Sequence, residues 1–337
     1  MIGVLLINLG TPDAPRTPEV KKYLRQFLSD PRVIDIHPIA RSLLLNLIIL
    51  PFRSPKSAEA YRKIWMKEGS PLLFHTQNLG QKVSQRLGKD YAVEVGMRYQ
   101  SPSIASAVEK LMQKGVSEIR VLPLFPQYAT SSTASALEEV FRVLSQQWNI
   151  PPITTLPPFY DHPGFIKSFA ETGKPVLEKL KPDHVLFSFH GLPERHIKKC
   201  DPVGNHCLKF DECCDRKVFQ NQFCYRTQCF QTAKALTKEL GIPLDLCSVS
   251  FQSRLGRTPW IKPYTDQILI ELAKNGRKRI AVFCPSFVAD CLETLEEIGI
   301  RGKDSALAHG AEILELVPSL NANSLWVETV CGMVKLN

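Results

Sequence analysis

The sequence contains no phosphate-binding glycine motif, no long apolar run and no low-complexity stretch. Because neither G-x-G-x-x-G nor G-x-x-x-x-G-K-[ST] occurs, a nucleotide is not the ligand that the sequence favours. The apolar segment at residues 43–50 is far shorter than the roughly 20 residues that a membrane-spanning helix needs. The basic residues are dispersed, with no tract interleaved with aromatics, so we expect no nucleic-acid partner.

The first residues, Met1 to Asn8, have no basic lead and no small-residue cleavage site, which is typical of a first strand rather than a signal peptide. We therefore expect a cytoplasmic protein. In that reducing compartment the ten cysteines would be free thiols or metal ligands rather than disulfides. The formal net charge of +9 indicates an anionic partner, such as an acidic small molecule or a membrane surface.

Strand-like runs alternate with helical patterns along almost the whole chain. The predicted strands are 4–9, 93–99, 119–125, 153–159, 185–189, 244–251, 280–283 and 313–317, and helical spacing of apolar residues marks 104–113, 134–146, 231–240 and 265–274. This alternation predicts an α/β fold of parallel sheets with helices on both faces. In such sheets ligands bind beyond the carboxyl ends of the strands.

The two halves of the sequence resemble each other, which predicts a duplication. Tyr99-Gln100-Ser101 is echoed by Phe251-Gln252-Ser253, although coincidence among common strand and turn signals is the alternative. The predicted units are an N-terminal Rossmann-like domain (1–160, with a pocket-lip segment at 37–70), a similar C-terminal domain (161–320, with a cysteine-rich insertion at 198–224) and a C-terminal helix (321–337). We expect the active-site cleft between the two domains.

The difference between the halves indicates where the chemistry lies. Leu9 closes the first strand of the first half, whereas His190 closes its counterpart. An imidazole binds a divalent metal or takes a proton near neutral pH, although a histidine before a glycine turn can equally be structural.

A second candidate group is acidic. Asp290, Glu293 and Glu297 stand at i, i+3 and i+7, so on one helix they would share a face. A column of carboxylates implies good solvation or a nearby cation. The alternative is a capping box of Asp290 and Glu293, which leaves Glu297 unexplained.

Nine short motifs, in order, resemble the ferrochelatase family, whose members insert ferrous iron into a porphyrin in haem synthesis. The resemblance extends from about Gly3 to the last helix. It rests on 9-LGTP, 53-RSPK, 61-YR, 69-GSPL, 122-LPLFPQY, 188-SFHGLP, 251-FQSRLGR, 259-PW and 290-DCLETL.

The resemblance implies an enzyme that inserts Fe²⁺ into protoporphyrin IX to form protohaem. His190 and Glu293 would face each other across the porphyrin as the metal-binding and proton-handling pair, with Glu297 and Asp290 extending an acidic track. Two pyrrole N–H protons must leave as the metal enters, so the site needs a base and a relay. Imidazole and carboxylate bind Fe²⁺ weakly enough to release it to the porphyrin nitrogens.

The resemblance also implies a substrate pocket. Leu9, Tyr61 and Trp260 match wall positions, and Arg53 would pair with a propionate. Ordinary packing or surface solvation is the alternative for these four residues.

Two alternative functions remain open at this point. One is a chelatase for coproporphyrin III, or for cobalt or nickel in another tetrapyrrole. The other is a non-catalytic porphyrin or iron–sulfur binding protein, against which the presence of His190 and Glu293 argues.

Five cysteines bunch within 25 residues, at Cys200, Cys207, Cys213, Cys214 and Cys224. Some bacterial ferrochelatases bind a [2Fe–2S] cluster through an internal cysteine segment, and this segment resembles theirs. A cluster needs four thiolates, for which the candidates are Cys200, Cys207, Cys214 and either Cys213 or Cys224. The spacing is not that of a C-x₂-C zinc ribbon, although zinc and unligated thiols stay as alternatives.

The apolar segment 43–50 is flanked by Arg41, Arg53 and Lys56. It is interpreted as a lip at the pocket mouth that contacts the inner face of the membrane, with a buried core helix as the alternative.

Overall fold

Two four-stranded parallel sheets organise the chain. The structure is a computed structural model, and it describes residues 1–256 and 258–335. Within these ranges the strands are β1 (Ile2–Gly10), β2 (Tyr91–Tyr99), β3 (Glu118–Pro123), β4 (Ile153–Thr155), β5 (His184–His190), β6 (Cys247–Gln252), β7 (Arg279–Phe283) and β8 (Ile313–Leu316). The strand order is β2-β1-β3-β4 in one sheet and β6-β5-β7-β8 in the other. The predicted α/β fold of two similar parallel-sheet halves is therefore confirmed.

Helices connect the strands in both halves. The α-helices are α1 (Thr17–Ser29), α2 (Pro38–Leu43), α3 (Leu50–Ile64), α4 (Pro71–Leu87), α5 (Ile104–Gln113), α6 (Ser135–Leu144), α7 (Pro163–Leu180), α8 (Glu194–Lys199), α9 (Tyr225–Leu240), α10 (Thr265–Lys274), α11 (Leu292–Leu295), α12 (Lys303–Ala308) and α13 (Ser324–Lys335). Wider π-helical turns occupy Leu44–Ile49, Thr130–Ala134 and Glu297–Gly302.

The chain divides into two compact units. The first contains residues 1–125, 130–158 and 321–337, and the second contains 126–129 and 159–320. Helix α13 lies in the first unit, where it packs on α4 and where Lys82 donates a 2.8 Å hydrogen bond to the carbonyl of Ala322.

The central strands are buried along most of their length. β1 is buried at Val4–Ile7 and β5 at His184–Phe189, as expected for parallel strands that helices cover on both faces. Two strand predictions were too long by three or more residues. β4 ends at Thr155, shortly before Pro157 and Pro158, which cannot donate to a ladder; and residues 244–246 form a 3₁₀ turn before β6 begins.

The topology of the second sheet places two loops side by side. β5 and β7 are neighbours, but the chain leaves β5 toward β6 at one edge and leaves β7 toward β8 at the other. Divergent connections after adjacent parallel strands open a crevice at their carboxyl ends. His190 ends β5, and the segment 290–297 follows β7, so both flank this crevice.

Candidate functional site

His190 is the last residue of β5 and is half-buried. Its Nδ1 lies 2.6 Å from the carbonyl oxygen of Gly191. Because a carbonyl oxygen only accepts, Nδ1 carries a proton, and in the neutral ring Nε2 then has the lone pair that binds a metal or a proton. The rings of Trp260 and Phe287 flank the imidazole, with centroids 6.5 and 6.3 Å away.

Gly191 allows β5 and β6 to approach closely where they end. Its N–H donates to the carbonyl oxygen of Gln252 at 2.7 Å. A Cβ at this position would come 2.8 Å from that oxygen and 3.3 Å from the ring of Trp260. The Trp260 ring is fixed in turn by a 2.9 Å hydrogen bond from Nε1 to the carbonyl of Leu255.

The acidic segment is not one regular α-helix, so the predicted shared face is wrong. α11 has only four residues, and a π-helix begins at Glu297, which changes the number of residues per turn between the carboxylates. Asp290 lies before the helix. The capping-box alternative is also wrong as stated, because the N-cap is Cys291, whose N–H donates to the hydroxyl of Thr294 at 3.0 Å.

The carboxylate of Glu297 is held by the end of β6. Its Oε1 accepts a 2.8 Å hydrogen bond from the backbone N–H of Ser253, and its Oε2 accepts one from the Ser253 hydroxyl. The side-chain amide of Gln252 lies 3.4 Å from the same Oε2 and donates at 2.7 Å to the main-chain carbonyl of Glu293. Because Gln252 pairs with His190 in the β5·β6 register, one residue links the histidine strand to both glutamates.

Sequence reasoning assigned no role to Gln252 and Ser253. The available signal was the repeat, since Gln100 and Ser253 stand in the two echoed motifs. Both adopt a left-handed backbone, with φ of 66° and 67°, which non-glycine residues rarely do. Each of the two residues directly follows the last residue of its strand, although in the echoed motifs Gln100 corresponds to Gln252 rather than to Ser253.

Asp290 is buried and occupied by structural contacts. Its Oδ1 accepts hydrogen bonds from the hydroxyl of Thr294 at 3.2 Å and from the backbone N–H of Ser319 at 3.1 Å. The side chain thus ties the start of the acidic segment to the chain that follows β8.

Two buried thiols lie beside the acidic segment. Burial, and then the charges of Asp290 and Glu297, raise the pKa of Cys284, while burial and then Glu293 raise the pKa of Cys291. Both thiols are therefore protonated and inert at neutral pH.

The substrate-binding candidates lie in both units. In the first unit Leu9 is half-buried near the end of β1, Arg53 is exposed on α3, and Tyr61 is buried with its ring 6.1 Å from that of Trp65. In the second unit Trp260 is half-buried beside His190.

The segment 43–50 has one buried and one exposed side. Leu45 and Leu50 are buried, whereas Leu47 and Ile48 are 66% and 58% exposed. Helix α2 and the start of α3 add further exposed apolar side chains, including Phe52 at 71%. In the part of the chain that the structure describes, no helix is long and apolar enough to cross a membrane.

Four thiols of the cysteine-rich insertion gather in its interior. Cys207, Cys213, Cys214 and Cys224 are each at most 3% exposed. The sulfurs of Cys213 and Cys214 are 3.8 Å apart, and the Cys224 thiol contacts those of Cys207 and Cys214. Cys200 is half-buried, and its thiol donates to the carbonyl of His196.

The loops that carry these thiols are held by side-chain hydrogen bonds. The carboxylate of Asp201 accepts from the backbone N–H groups of His206 and Cys207 at 2.7 and 3.0 Å. The amide of Asn221 donates to the carbonyls of Cys213 and Arg216 at 3.0 and 2.8 Å. The positions of the thiols are therefore fixed by the segment itself.

The gathered thiols have raised pKa values. Contact with Cys224 and then burial raise the pKa of Cys214, contact with Cys207 raises that of Cys224, and burial raises that of Cys213. Four buried thiols in contact can lose their protons together only if a cation joins them.

No group of three or more His, Cys, Asp or Glu donors converges on a single metal position among residues 1–256 and 258–335. The thiolates of a [2Fe–2S] cluster bind two separate irons, so they need not converge on one point. The four thiols match the number of sulfur donors that such a cluster needs.

Comparisons with known proteins agree on one family. A model of the ferrochelatase family matches residues 1–337. Ferrochelatase from Coxiella burnetii (strain CbuK_Q154) is 49% identical over 334 residues, which cover 99% of this chain and 93% of the relative. Ferrochelatase from Legionella pneumophila (strain Corby) is 48% identical and is covered over 98% of both chains.

Solved structures with the same fold are chelatases. SirB of Bacillus subtilis subspecies spizizenii, a sirohydrochlorin chelatase in complex with cobalt, superposes with a TM-score of 0.55 at 11% identity, covering 99% of this chain and 94% of that one. SirB of Bacillus subtilis with Fe³⁺ gives a TM-score of 0.54 at 15% identity, covering 79% and 91%. At these identities the likeness establishes the fold alone.

Proposed function

Because this chain belongs to the ferrochelatase family, we propose that the crevice beside His190 is where it inserts Fe²⁺ into protoporphyrin IX to form protohaem. The observation that carries the proposal is the link through Gln252. This residue pairs with His190 across the sheet and donates to the main-chain carbonyl of Glu293 at 2.7 Å.

The reaction needs a ligand that releases Fe²⁺ to the porphyrin and a group that accepts the pyrrole protons. Fe²⁺ replaces two pyrrole protons and keeps its oxidation state, so two protons leave and no electron moves. Nε2 of His190 has its lone pair available, and carboxylates take up protons or bind the metal. We assign His190 and Glu293 to these tasks at the porphyrin.

Glu297 and Asp290 have different parts in this proposal. Both oxygens of Glu297 face donors at the end of β6, which orient this carboxylate for a part in moving protons away from Glu293. The contacts of Asp290 with Thr294 and Ser319 suit an anchor of the acidic segment rather than a relay.

The substrate pocket is proposed from the resemblance and from exposure. Trp260 lies beside the imidazole and would stack on or bend the porphyrin. In the first unit, the resemblance supports Leu9 and Tyr61 as apolar contacts of the porphyrin and the exposed Arg53 as a partner of a propionate.

An anaerobic assay of Fe²⁺ insertion tests the site assignment. Wild type should form haem, whereas His190→Ala and Glu293→Gln should each lower kcat by about 10²–10⁴-fold, the usual contribution of a positioned acid or base. His309→Ala is the control, because His309 is exposed and bonds the carbonyl of Ser305. Full activity of either site variant contradicts the assignment, and a wild type that binds porphyrin without forming haem would favour a porphyrin carrier.

We also propose that the cysteine-rich insertion binds a [2Fe–2S] cluster through Cys207, Cys213, Cys214 and Cys224. These four thiols are buried and in contact, whereas Cys200 is half-buried. Metal insertion transfers no electrons, so a cluster there would not take part in the reaction. It would instead stabilise the insertion to a degree that depends on the redox state of the cluster.

Visible absorption and iron and sulfide content of anaerobically purified protein test the cluster. Wild type and Cys200→Ser should be coloured, with two irons and two sulfides per chain, whereas Cys224→Ser should lose the colour. The assignment would be overturned if the protein contained zinc in place of iron. It would also be overturned if Cys200→Ser lost the colour and Cys224→Ser kept it.

Finally, we propose that the exposed apolar side of residues 39–52 contacts the inner face of the membrane. The side chains of Ile39, Leu43, Leu47, Ile48 and Phe52 are 55–71% exposed, and exposed apolar area next to basic residues is typical of interfacial helices.

A further inference from the structure

We propose that a buried chain of three hydroxyls, Ser250, Thr265 and Ser188, positions the amide of Gln252 and thereby holds the Glu293–Glu297 segment for metal transfer. The inference rests on the proposed roles of the two glutamates. All three hydroxyl residues are at most 2% exposed, and Gln252 is 3% exposed, so water cannot easily replace the bonds between them.

The direction of every hydrogen bond in the chain can be deduced from one end. The carbonyl oxygen of Glu293 only accepts, so the atom of Gln252 that lies 2.7 Å from it must be the NH₂ group. The amide oxygen of Gln252 therefore faces the hydroxyl of Ser188, 2.7 Å away, and accepts its proton.

Each hydroxyl has one proton, which settles the rest of the chain. Ser188 gives its proton to Gln252, so Thr265 must donate to Ser188 across 2.8 Å. Thr265 has then no proton left for Ser250, so Ser250 must donate to Thr265, also across 2.8 Å. The chain has a single consistent direction, from Ser250 on β6 through Thr265 on α10 and Ser188 on β5 to Gln252.

This direction matters because the amide of Gln252 could otherwise rotate. Turned by half a revolution, it would present its oxygen to the carbonyl of Glu293 and to the carboxylate of Glu297, where acceptors would face each other. The acceptors on Glu293 and Glu297 select the productive orientation, and the Ser188 hydroxyl supplies the donor that the amide oxygen then needs, since a buried amide oxygen without a donor is costly. The remaining neighbour of that oxygen is the thiol of Cys284 at 3.7 Å, which is a weak donor.

Loss of the hydroxyl chain is expected to change the kinetics with Fe²⁺ rather than the binding of porphyrin. The three hydroxyl residues are buried, and they reach the acidic segment through the contacts of Gln252 with Glu293 and Glu297. Residues that orient a metal-binding group from behind commonly change metal affinity or activity by about 10–100-fold when altered. Ser188, Thr265 and Gln252 are thus positioning residues, acting through the glutamates.

The test compares variants in an anaerobic insertion assay in which the KM for Fe²⁺, the KM for porphyrin and kcat are measured separately. Ser188→Ala should raise the KM for Fe²⁺ or lower kcat/KM for Fe²⁺ by ~10-fold or more, with the KM for porphyrin within about 2-fold of wild type. Ser168→Ala is the matched control, because Ser168 is equally buried in the same unit and its hydroxyl donates to the carbonyl of Gly164 within its own helix.

Two variants of Thr265 provide a second test, in which the size of the side chain is nearly kept. Thr265→Val replaces the hydroxyl by a methyl group of similar size, and Thr265→Ser keeps the hydroxyl and removes the methyl group. The valine variant should reproduce the rise in the KM for Fe²⁺, and the serine variant should behave like wild type. A purely structural role predicts instead that both variants lower the melting temperature and leave the two KM values unchanged.

The outcomes separate this inference from the function on which it rests. If Glu293→Gln is inactive while Ser188→Ala and Thr265→Val match wild type, the hydroxyl chain has no positioning role. If Glu293→Gln is fully active, the proposed role of Glu293 is itself wrong, and the hydroxyl chain cannot act through it. Should Thr265→Val not fold, Ser188→Ala alone decides, and equal shifts in both KM values would overturn the inference.

Discussion

The guanidinium of Arg226 lies 3.1 Å from the sulfur of Cys214 and 3.8 Å from that of Cys213. The hydroxyl of Thr227 donates to the same Cys214 sulfur at 3.3 Å. Both donors come from the first turn of α9, directly after Cys224. These two donors lower the pKa of the Cys214 thiol, but contact with Cys224 and burial outweigh them, so this pKa is raised.

This relationship predicts a redox effect if the insertion holds a cluster. Hydrogen bonds and positive charge near the sulfurs favour the reduced, more negative cluster. Arg226→Gln should therefore lower the midpoint potential by on the order of 40 mV, the one-electron equivalent of about 1 kcal/mol. Arg226→Lys keeps the charge and should shift it less. An anaerobic redox titration followed by absorption measures both, and an unchanged potential in the glutamine variant contradicts the prediction.

Gly191→Ala should impair haem formation. The new methyl group would lie 2.8 Å from the carbonyl oxygen of Gln252 and 3.3 Å from the ring of Trp260, so the ends of β5 and β6 must separate. Overpacking of this kind costs about 1–3 kcal/mol, and the displaced groups are next to His190. Thermal unfolding and kcat measure the two effects. Gly332→Ala in α13 is the control, because its Cβ meets no atom within 4 Å and both properties should be kept.

Leu47→Asp should weaken binding to lipid vesicles. Burying a leucine side chain in the interface stabilises binding by about 1.5–3 kcal/mol, so the loss should be at least about 10-fold in a sedimentation assay with anionic vesicles. Leu244→Asp is the control, since Leu244 is 76% exposed in the other unit. An equal loss in both variants would indicate a nonspecific charge effect, and no binding by wild type would refute the membrane contact.

Asp30 should make the stability of the first unit sensitive to acid. Burial alone would raise its pKa, but hydrogen bonds from Ser135, from the backbone N–H of Arg32 and from Tyr99, with the charge of Arg98, outweigh it and hold the pKa below 3.8. The salt bridge to Arg98 is 2.9 Å long. The carboxylate therefore stabilises the folded state above the unfolded-state pKa of about 3.9, and this contribution is lost as the pH falls through the lower folded-state pKa.

Asp30→Asn tests this with urea unfolding between pH 2 and 7. The variant should lose about 3–5 kcal/mol at neutral pH, because the charge of Arg98 is left without its partner. Its stability should also fall less steeply below pH 4 than that of wild type. Parallel curves for the two proteins would show that Asp30 does not contribute to the acid transition.

The sequence alone determined the class of fold, the duplication, the family resemblance and the position of His190 at the end of a strand. These follow from local information, since a strand buried on both faces requires a continuous apolar run, and short motifs in a fixed order identify a family. The repeat at residues 99–101 and 251–253 was visible too, although its function was not.

Only the tertiary structure decided how the polar side chains pair. The hydrogen bond of Asp290 to Ser319 and those of Glu297 to Ser253 join segments that are distant in the sequence. So does the hydroxyl chain, because Ser188, Ser250 and Thr265 meet only when β5, β6 and α10 pack together. Periodicity predicts which face of an element is buried, but hydrogen bonds between distant elements are fixed by distances that exist only in the folded chain.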